Sequence, residues 1–169
     1  MKYKNIIING NVEIDPTSMM GLNNVVLSDG VKIAKNCSLF GGPNNLLEIG
    51  KGTYVGMNTI MNGYVDKITI GTNVSFGANV YLMVDNGPNA SERLQRLYPV
   101  EHGPITIGNH CWIGSESLIM PGVALGDFCI VAANSFVKQS FPAYSIIGGT
   151  PARLIRIMTK EEIDIVNKD

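Results

Sequence analysis

Charge of either sign is scarce in this sequence. Asp, Glu, Lys and Arg make up 16% of its 169 residues, 13 basic against 14 acidic, for a formal net charge of -1. That balance lacks the basic excess of a general nucleic-acid binder. Long apolar runs are missing too. Ile6-Ile7-Ile8, after the basic Met1-Lys2-Tyr3-Lys4, is too short for a signal-peptide core, and no stretch approaches the ~20 apolar residues that cross a bilayer. Cysteine is sparse: Cys37, Cys111 and Cys129 are odd in number and show no C-x-x-C spacing. A soluble chain in the reducing cytoplasm is the expectation. There are only two histidines, His102 and His110, which leaves little for a metal centre or for acid–base work.

Hydrophobic residues, at 45%, argue against disorder, and the length suits one domain with a sizeable core. Glycine is in excess: 19 residues, about 11% against a usual ~7%. No collagen-like triplet accompanies it, so the chain turns often and tightly.

An internal period explains the turning. From Ile107 an aliphatic residue recurs every six positions, through Ile113, Ile119, Leu125, Val131 and Val137. Gly108, Gly114, Gly126 and Ala132 follow four of them, and Cys111, Ser117, Val123, Cys129 and Ser135 stand four places on. The same phase appears in Ile49-Gly50, Val55-Gly56, Ile70-Gly71 and Phe76-Gly77. Positions six apart on a helix fall ~120° away from their starting stripe, so no apolar face forms. Hairpins need turn signals every 8–12 residues. A solenoid fits both failures: each hexapeptide is a short strand plus a corner, and three make an 18-residue coil. The aliphatic side chain points inward and stacks on its neighbours, while Gly relieves crowding at the corner.

The period predicts an all-β solenoid over 1–157, followed by a C-terminal capping helix over 158–169. A small bulge is expected near Asn62-Gly63-Tyr64, an irregular piece over Phe40 to Leu47, and an excursion loop over about 84–103. Residues 1 to about 30 keep the phase poorly and are read as a starting coil. After Phe141-Pro142 the segment from Ser145 to Arg156 reads as extended. Thr159-Lys160-Glu161-Glu162 has capping-box spacing and opens a helix with Ile163 and Val166 on one face, expected to cover the open end of the solenoid.

With these residues in view, the sequence resembles the hexapeptide-repeat acyltransferases of the left-handed parallel β-helix class, from about Ile49 to Arg156. The most specific part is Ile105-Thr106-Ile107-Gly108-Asn109-His110-Cys111-Trp112-Ile113-Gly114-Ser115, followed by Met120-Pro121-Gly122-Val123 and the ending Gly149-Thr150-Pro151-Ala152-Arg153. The arrangement is most similar to sugar O-acetyltransferases, including the galactoside and streptogramin enzymes and those that decorate polysaccharide. The resemblance implies a homotrimer with acetyl-CoA in a groove between adjacent solenoids and no bound metal. By motif match Gly114, Ser115, Ala132, Ala133 and Ser135 would line that groove, with Lys138, Arg153 and Arg156 meeting the CoA phosphates. It implies acetyl transfer to a sugar or polysaccharide-precursor hydroxyl, with Asn58 matching a position that hydrogen-bonds sugar hydroxyls. Asp85, 27 residues on, is read by the spacing as standing on the same edge of a later coil, so that the two flank the acceptor. Trp112 is expected to pack rather than stack on a base, and Cys111 and Cys129 to be inert core residues.

The match fails at the general base. The family places a His near the start of the excursion loop, where this chain reads Val84-Asp85-Asn86-Gly87-Pro88-Asn89-Ala90-Ser91. The tighter alignment puts Ala90 on that His. Three explanations stand open: an engineered His→Ala exchange at Ala90, replacement by His102 at the other end of the loop, or natural loss of catalysis leaving a trimeric binding module for CoA and sugar. His102 is expected within several ångströms of Asp85, with Glu101 facing the other way, because neighbours in an extended chain alternate. His110, inside the repeat, reads as a surface or subunit-contact residue. The γ-class carbonic anhydrases share the scaffold but need three metal-bound His per site, which two histidines do not supply.

Overall fold

The computed structural model describes residues 5–18 and 23–168. They wind into a three-sided coil whose faces are three sheets. The first face stacks Ile6–Ile8, Val25–Leu27, Leu47–Ile49, Ile68–Ile70, Ile105–Ile107 and Ala124–Leu125, all parallel and in register. The second stacks Glu13–Ile14, Lys32–Ile33, Tyr54–Val55, Ser75–Phe76, Trp112–Ile113, Ile130–Val131 and Ser145–Gly149. The third holds Ser38–Gly41, Ile60–Gly63, Tyr81–Met83, Leu118–Ile119 and Phe136–Val137.

The six-residue period is the inward column of these faces. Ile107, Ile113, Ile119, Leu125, Val131 and Val137 are all buried, as are Ile49, Val55, Met61, Ile70, Phe76 and Leu82 before them. Each contributes about 1.5–3 kcal/mol by leaving water. The fourth place on is the second inward position: Cys111, Ser117, Val123, Cys129 and Ser135 are buried. Their polar atoms bond to carbonyl oxygens of the coils. Ser117 Oγ donates to Ala132 O (3.2 Å), and the thiols of Cys111 and Cys129 donate to Gly126 O and Pro142 O, each at 3.2 Å. The side-chain hydrogen bond between Cys111 and Cys129, together with burial, pushes the Cys111 thiol up, and burial does the same at Cys37. The same bond with Cys111 holds the Cys129 thiol below its ordinary value, although all three thiols are buried in the core.

The corners divide the work between two residue types. Glycine after the aliphatic is required by close approach: a Cβ on Gly114 would collide with Ala133 N, and one on Gly56 with Gly77 O. Three places after the aliphatic the backbone turns left-handed, and here the residue is seldom Gly. Asn36, Asn58, Asn79, Glu116 and Asn134 form one such column, with φ from 56° to 63°. At the corner between first and second faces stand Asn73, His110, Phe128 and Tyr144, with φ from 53° to 64°. Left-handed backbone costs an L-residue roughly 1–2 kcal/mol. Stacking offsets part of that cost: His110 lies on Phe128 at 4.8 Å and 6°, and Phe128 on Tyr144 at 5.3 Å and 7°. Phe128→Ala removes both stacks and keeps the strain, so thermal denaturation is expected to show a loss of about 1–3 kcal/mol. A melting temperature unchanged by the substitution would mean that the rings contribute nothing.

The irregular pieces fall where the period breaks. The segment after Ser38–Gly41 packs on the Asn62–Tyr64 bulge so closely that a Cβ on Gly42 would overlap Tyr64 O. The excursion separates Ile70 from its register partner Ile107. Its two ends form an antiparallel ladder, Asp85–Asn86 against Glu101–His102, and a four-residue helix, Glu92–Gln95, lies between them with Ser91 as N-cap.

The helix Lys160–Val166 begins with the expected capping box on Thr159 and Glu162. It buries none of its residues, however, and so does not cover the end of the solenoid. Phe141 and Ala152 are buried there instead, as the chain turns into an antiparallel pair, Ser145–Gly149 with Ala152–Ile157.

Candidate active site

Two separate places on the coil hold most of the residues that the motifs single out. The first is a depression of about 370 Å³ at the corner between second and third faces, lined by Trp112, Gly114, Ser115, Ile130, Val131, Ala132 and Ala133. Its floor is small because successive coils approach too closely for larger side chains, and its wall is the outward side of the second face. Four of the five groove residues expected from the motifs, Gly114, Ser115, Ala132 and Ala133, meet here. Ser115 also has a local task, since its Oγ accepts from Ala78 N at 3.2 Å.

Ser135, the fifth, is not a surface residue. It is buried, donates to Ala132 O at 2.6 Å and accepts from Gly149 N at 3.2 Å, so it braces the corner from inside. The sequence signal that separates the two kinds of small residue is position in the hexapeptide. The fourth place after the aliphatic points inward, whereas the two places after it form the corner.

Three cations were expected beyond the groove. Arg156 is engaged elsewhere: its guanidinium forks onto Glu162 at 2.6 and 2.8 Å. That pair, with the Thr159 backbone N–H, holds the Glu162 carboxyl down at about 2, and Arg156 is thus tied to the helix cap. Arg153 and Lys138 are exposed, and neither has a carboxylate partner among the described residues.

The second place is the base of the excursion. Asp85 and His102 are direct cross-strand partners, as are Asn86 and Glu101. Opposed residues of an antiparallel ladder project from the same face with Cβ atoms ~5 Å apart. Asp85 therefore stands beside His102, and Glu101 turns away. Ala90 is exposed in the loop between this ladder and the short helix. His110 lies in the aromatic column at another corner, away from both places.

The third face separates the two halves. The excursion leaves after Tyr81–Met83, at the corner between third and first faces, whereas the depression lies at the corner between second and third. Asn58 falls on the depression's side, in the turn before Ile60–Gly63, where its Nδ2 donates to Asn79 Oδ1 at 3.1 Å. Within one chain, then, Asn58 and Asp85 do not flank a common site; they stand at opposite ends of one face.

Residues 104–139 match the family described as hexapeptide repeat of succinyl-transferase. The galactoside O-acetyltransferase of Escherichia coli K12 is 37% identical over 73% of this chain and 60% of its own length. A hexapeptide-repeat acetyltransferase of Vibrio cholerae is 30% identical in its crystal structure, with a TM-score of 0.60 and coverage of 73% of both chains. This chain belongs to the hexapeptide-repeat acetyltransferase family. It spans about 60% of the length of the curated galactoside relative. A galactoside acetyltransferase solved with coenzyme A is 28% identical, with a TM-score of 0.61 over 94% of this chain and 66% of that one. This family member also shares its fold with AntD, an N-acyltransferase of Bacillus cereus, at a TM-score of 0.73 over 96% of this chain and 88% of that one, with 20% identity. Among its described residues no group of three or more His, Cys, Asp or Glu side chains forms a metal cluster, and no helix is long and apolar enough to span a membrane.

Proposed function

We propose that the chain is an acetyl-CoA-dependent O-acetyltransferase of a sugar or polysaccharide-precursor hydroxyl, and that its active site is completed by a second copy of itself. The observation that carries this reading is the placement of the two halves at opposite ends of the third face. A homotrimer with its axis parallel to the coil brings the depression of one copy against the excursion of the next. The face between them is suited to that contact. Ile60, Tyr81, Leu118 and Phe136 lie in register on its outer side, an apolar stripe on an outward surface. Asn58 of one copy and Asp85 of its neighbour then border the same space, as an acceptor with several hydroxyls requires.

In this arrangement acetyl-CoA lies along the depression, and the acceptor enters beside the hairpin. His102 takes the hydroxyl proton while the oxygen attacks the thioester carbonyl, and Asp85 orients the imidazole. The tetrahedral intermediate expels the CoA thiolate, to which the imidazolium returns the proton. No hydroxyl or thiol at the site has an adjacent base, which favours direct transfer without an acyl-enzyme. Arg153 and Lys138 serve the phosphates. Three thiols without disulfides suit a cytoplasmic setting. The galactoside relative's name supports a sugar acceptor.

A second reading has one observation in its favour, the Ala90 found where the resemblance expects His. It keeps the CoA groove and the trimer but not the chemistry. Calorimetric titration and thiol release test both readings. CoA is expected to bind with a Kd of about micromolar or tighter, and Arg153→Ala to weaken it about tenfold or more while Arg156→Ala leaves it unchanged. Binding without thiol release on any sugar supports the second reading, and absence of CoA binding overturns both.

A further inference from the structure

The excursion has a second side. Asn86 and Glu101 are cross-strand partners, and because neighbours in a strand alternate, they project from the face of the ladder opposite to Asp85 and His102. On that face the ladder and the chain after the short helix border a cavity of about 350 Å³. This is the small end of the ~300–1,000 Å³ range of ligand sites, with room for one ring and its substituents. Nothing in the proposed transfer uses it.

The walls of the cavity are held by hydrogen bonds. Leu94 N–H donates to Ser91 Oγ at 3.3 Å, and Gln95 Nε2 donates to Pro88 O at 3.1 Å and Asn89 O at 3.3 Å, which ties the helix to the turn after the first strand of the ladder. Tyr98 N–H donates to Leu94 O at 2.7 Å and turns the chain back at the helix end. A Cβ on Gly87 would come within 2.8 Å of Val100 Cα, so the two limbs of the excursion lie close together.

The lining is of two kinds. Pro88, Leu97, Tyr98 and Pro99 supply apolar surface, while Asn86 and Glu101 supply an amide and a carboxylate. Tyr98 is 67% exposed, an aromatic left in water on a chain that buries its apolar residues elsewhere. Arg93 and Arg96 stand in and just after the helix, yet no Lys or Arg pairs with Glu101 among the described residues. A free carboxylate repels an anionic ligand, and a purely apolar one would leave it and the amide unpaired. A neutral polyol ring satisfies both kinds of surface, its C–H faces covering the Tyr98 ring and the prolines while its hydroxyls meet Asn86 and Glu101.

We propose that this cavity is a sugar subsite, holding a second residue of an oligosaccharide or polysaccharide acceptor while another residue of the same acceptor stands at His102. This rests on the sugar-acceptor reading above and narrows it from a single sugar to a polymeric one. The acceptor reaches both faces around the edge of the ladder, and the far contact acts as a tether that raises the local concentration of hydroxyls at the base without touching the reacting atoms.

Calorimetric titration with methyl β-galactoside and with β-galactotriose tests the proposal, with thiol release on acetyl-CoA followed in parallel. The wild-type protein is expected to bind the trisaccharide about tenfold or more tightly than the monosaccharide. Tyr98→Ala and Glu101→Gln are each expected to raise Kd and KM for the trisaccharide about five- to tenfold, with both constants for the monosaccharide unchanged. Equal wild-type affinity for the two sugars, or a trisaccharide advantage that both variants keep, would overturn it. Dissociation of the oligomer in Tyr98→Ala, read by native mass spectrometry, would make this face a contact between copies and overturn it as well. A wild-type protein that prefers the trisaccharide but releases no thiol overturns the acetyl-transfer reading and leaves the subsite standing.

Discussion

His102→Ala is expected to lower kcat for sugar acetylation by about 10²–10⁴-fold while leaving the affinity for CoA intact. His102 carries the imidazole at the foot of the excursion, and its cross-strand partner Asp85 is the carboxylate able to orient it. Thiol release on acetyl-CoA with a galactoside acceptor measures the effect, and titration with CoA shows that the groove survives. The companion variant is Ala90→His, which restores the residue type that the family resemblance places in this loop. If His102 is the base, Ala90→His adds little to a working enzyme and His102→Ala removes most of the rate. Activity that appears only in Ala90→His identifies a site that has lost its base, and His102 is then not catalytic. Asp85→Asn is a milder probe, expected to lower kcat with little change in KM, because the carboxylate acts through the imidazole.

The coil was legible in the sequence because its core is a one-dimensional repeat. An aliphatic residue every six positions admits few alternatives, and each of those from Ile107 to Val137 proved to be buried. The glycines after them were legible for the same reason, as the point of closest approach between coils. The left-handed position two residues after the glycine was less visible. Its signal is present in Asn36, Asn58, Asn79 and Asn134, a residue type that tolerates that backbone, but His110, Phe128 and Tyr144 break the pattern in the other column. Their compensation, ring stacking along the coil axis, is a contact between residues 16 to 18 apart that no local window reveals.

The candidate site was legible in pieces and not as a whole. Gly114, Ser115, Ala132 and Ala133 line one depression because the corner recurs with the repeat. The partners of Ser135 and Arg156, Gly149 N and Glu162, are not legible because they lie beyond the repeat, where its phase no longer says which way a side chain points. Asn58 and Asp85 were paired by counting residues along one edge. Six residues past Asn79, the stacking partner of Asn58, the chain has crossed the whole third face, and Asp85 has reached the next corner. On the proposed reading the function depends on a second copy of the same chain, the homotrimer that the family resemblance implies.

Complementation tests that dependence most directly. One chain carries His102→Ala and an intact groove; the other carries Ala133→Trp, which fills the depression with a bulky ring while leaving His102 in place. Each is expected to be nearly inactive alone. Co-expressed chains that mix at random in a cyclic trimer pair an intact groove with a neighbouring His102 at about a quarter of their interfaces, so thiol release on acetyl-CoA and a sugar acceptor is expected to return to about that fraction of the wild-type rate. Mixed oligomers that form, as native mass spectrometry shows, yet recover no activity would mean that each chain builds its site alone, and the shared active site would be wrong.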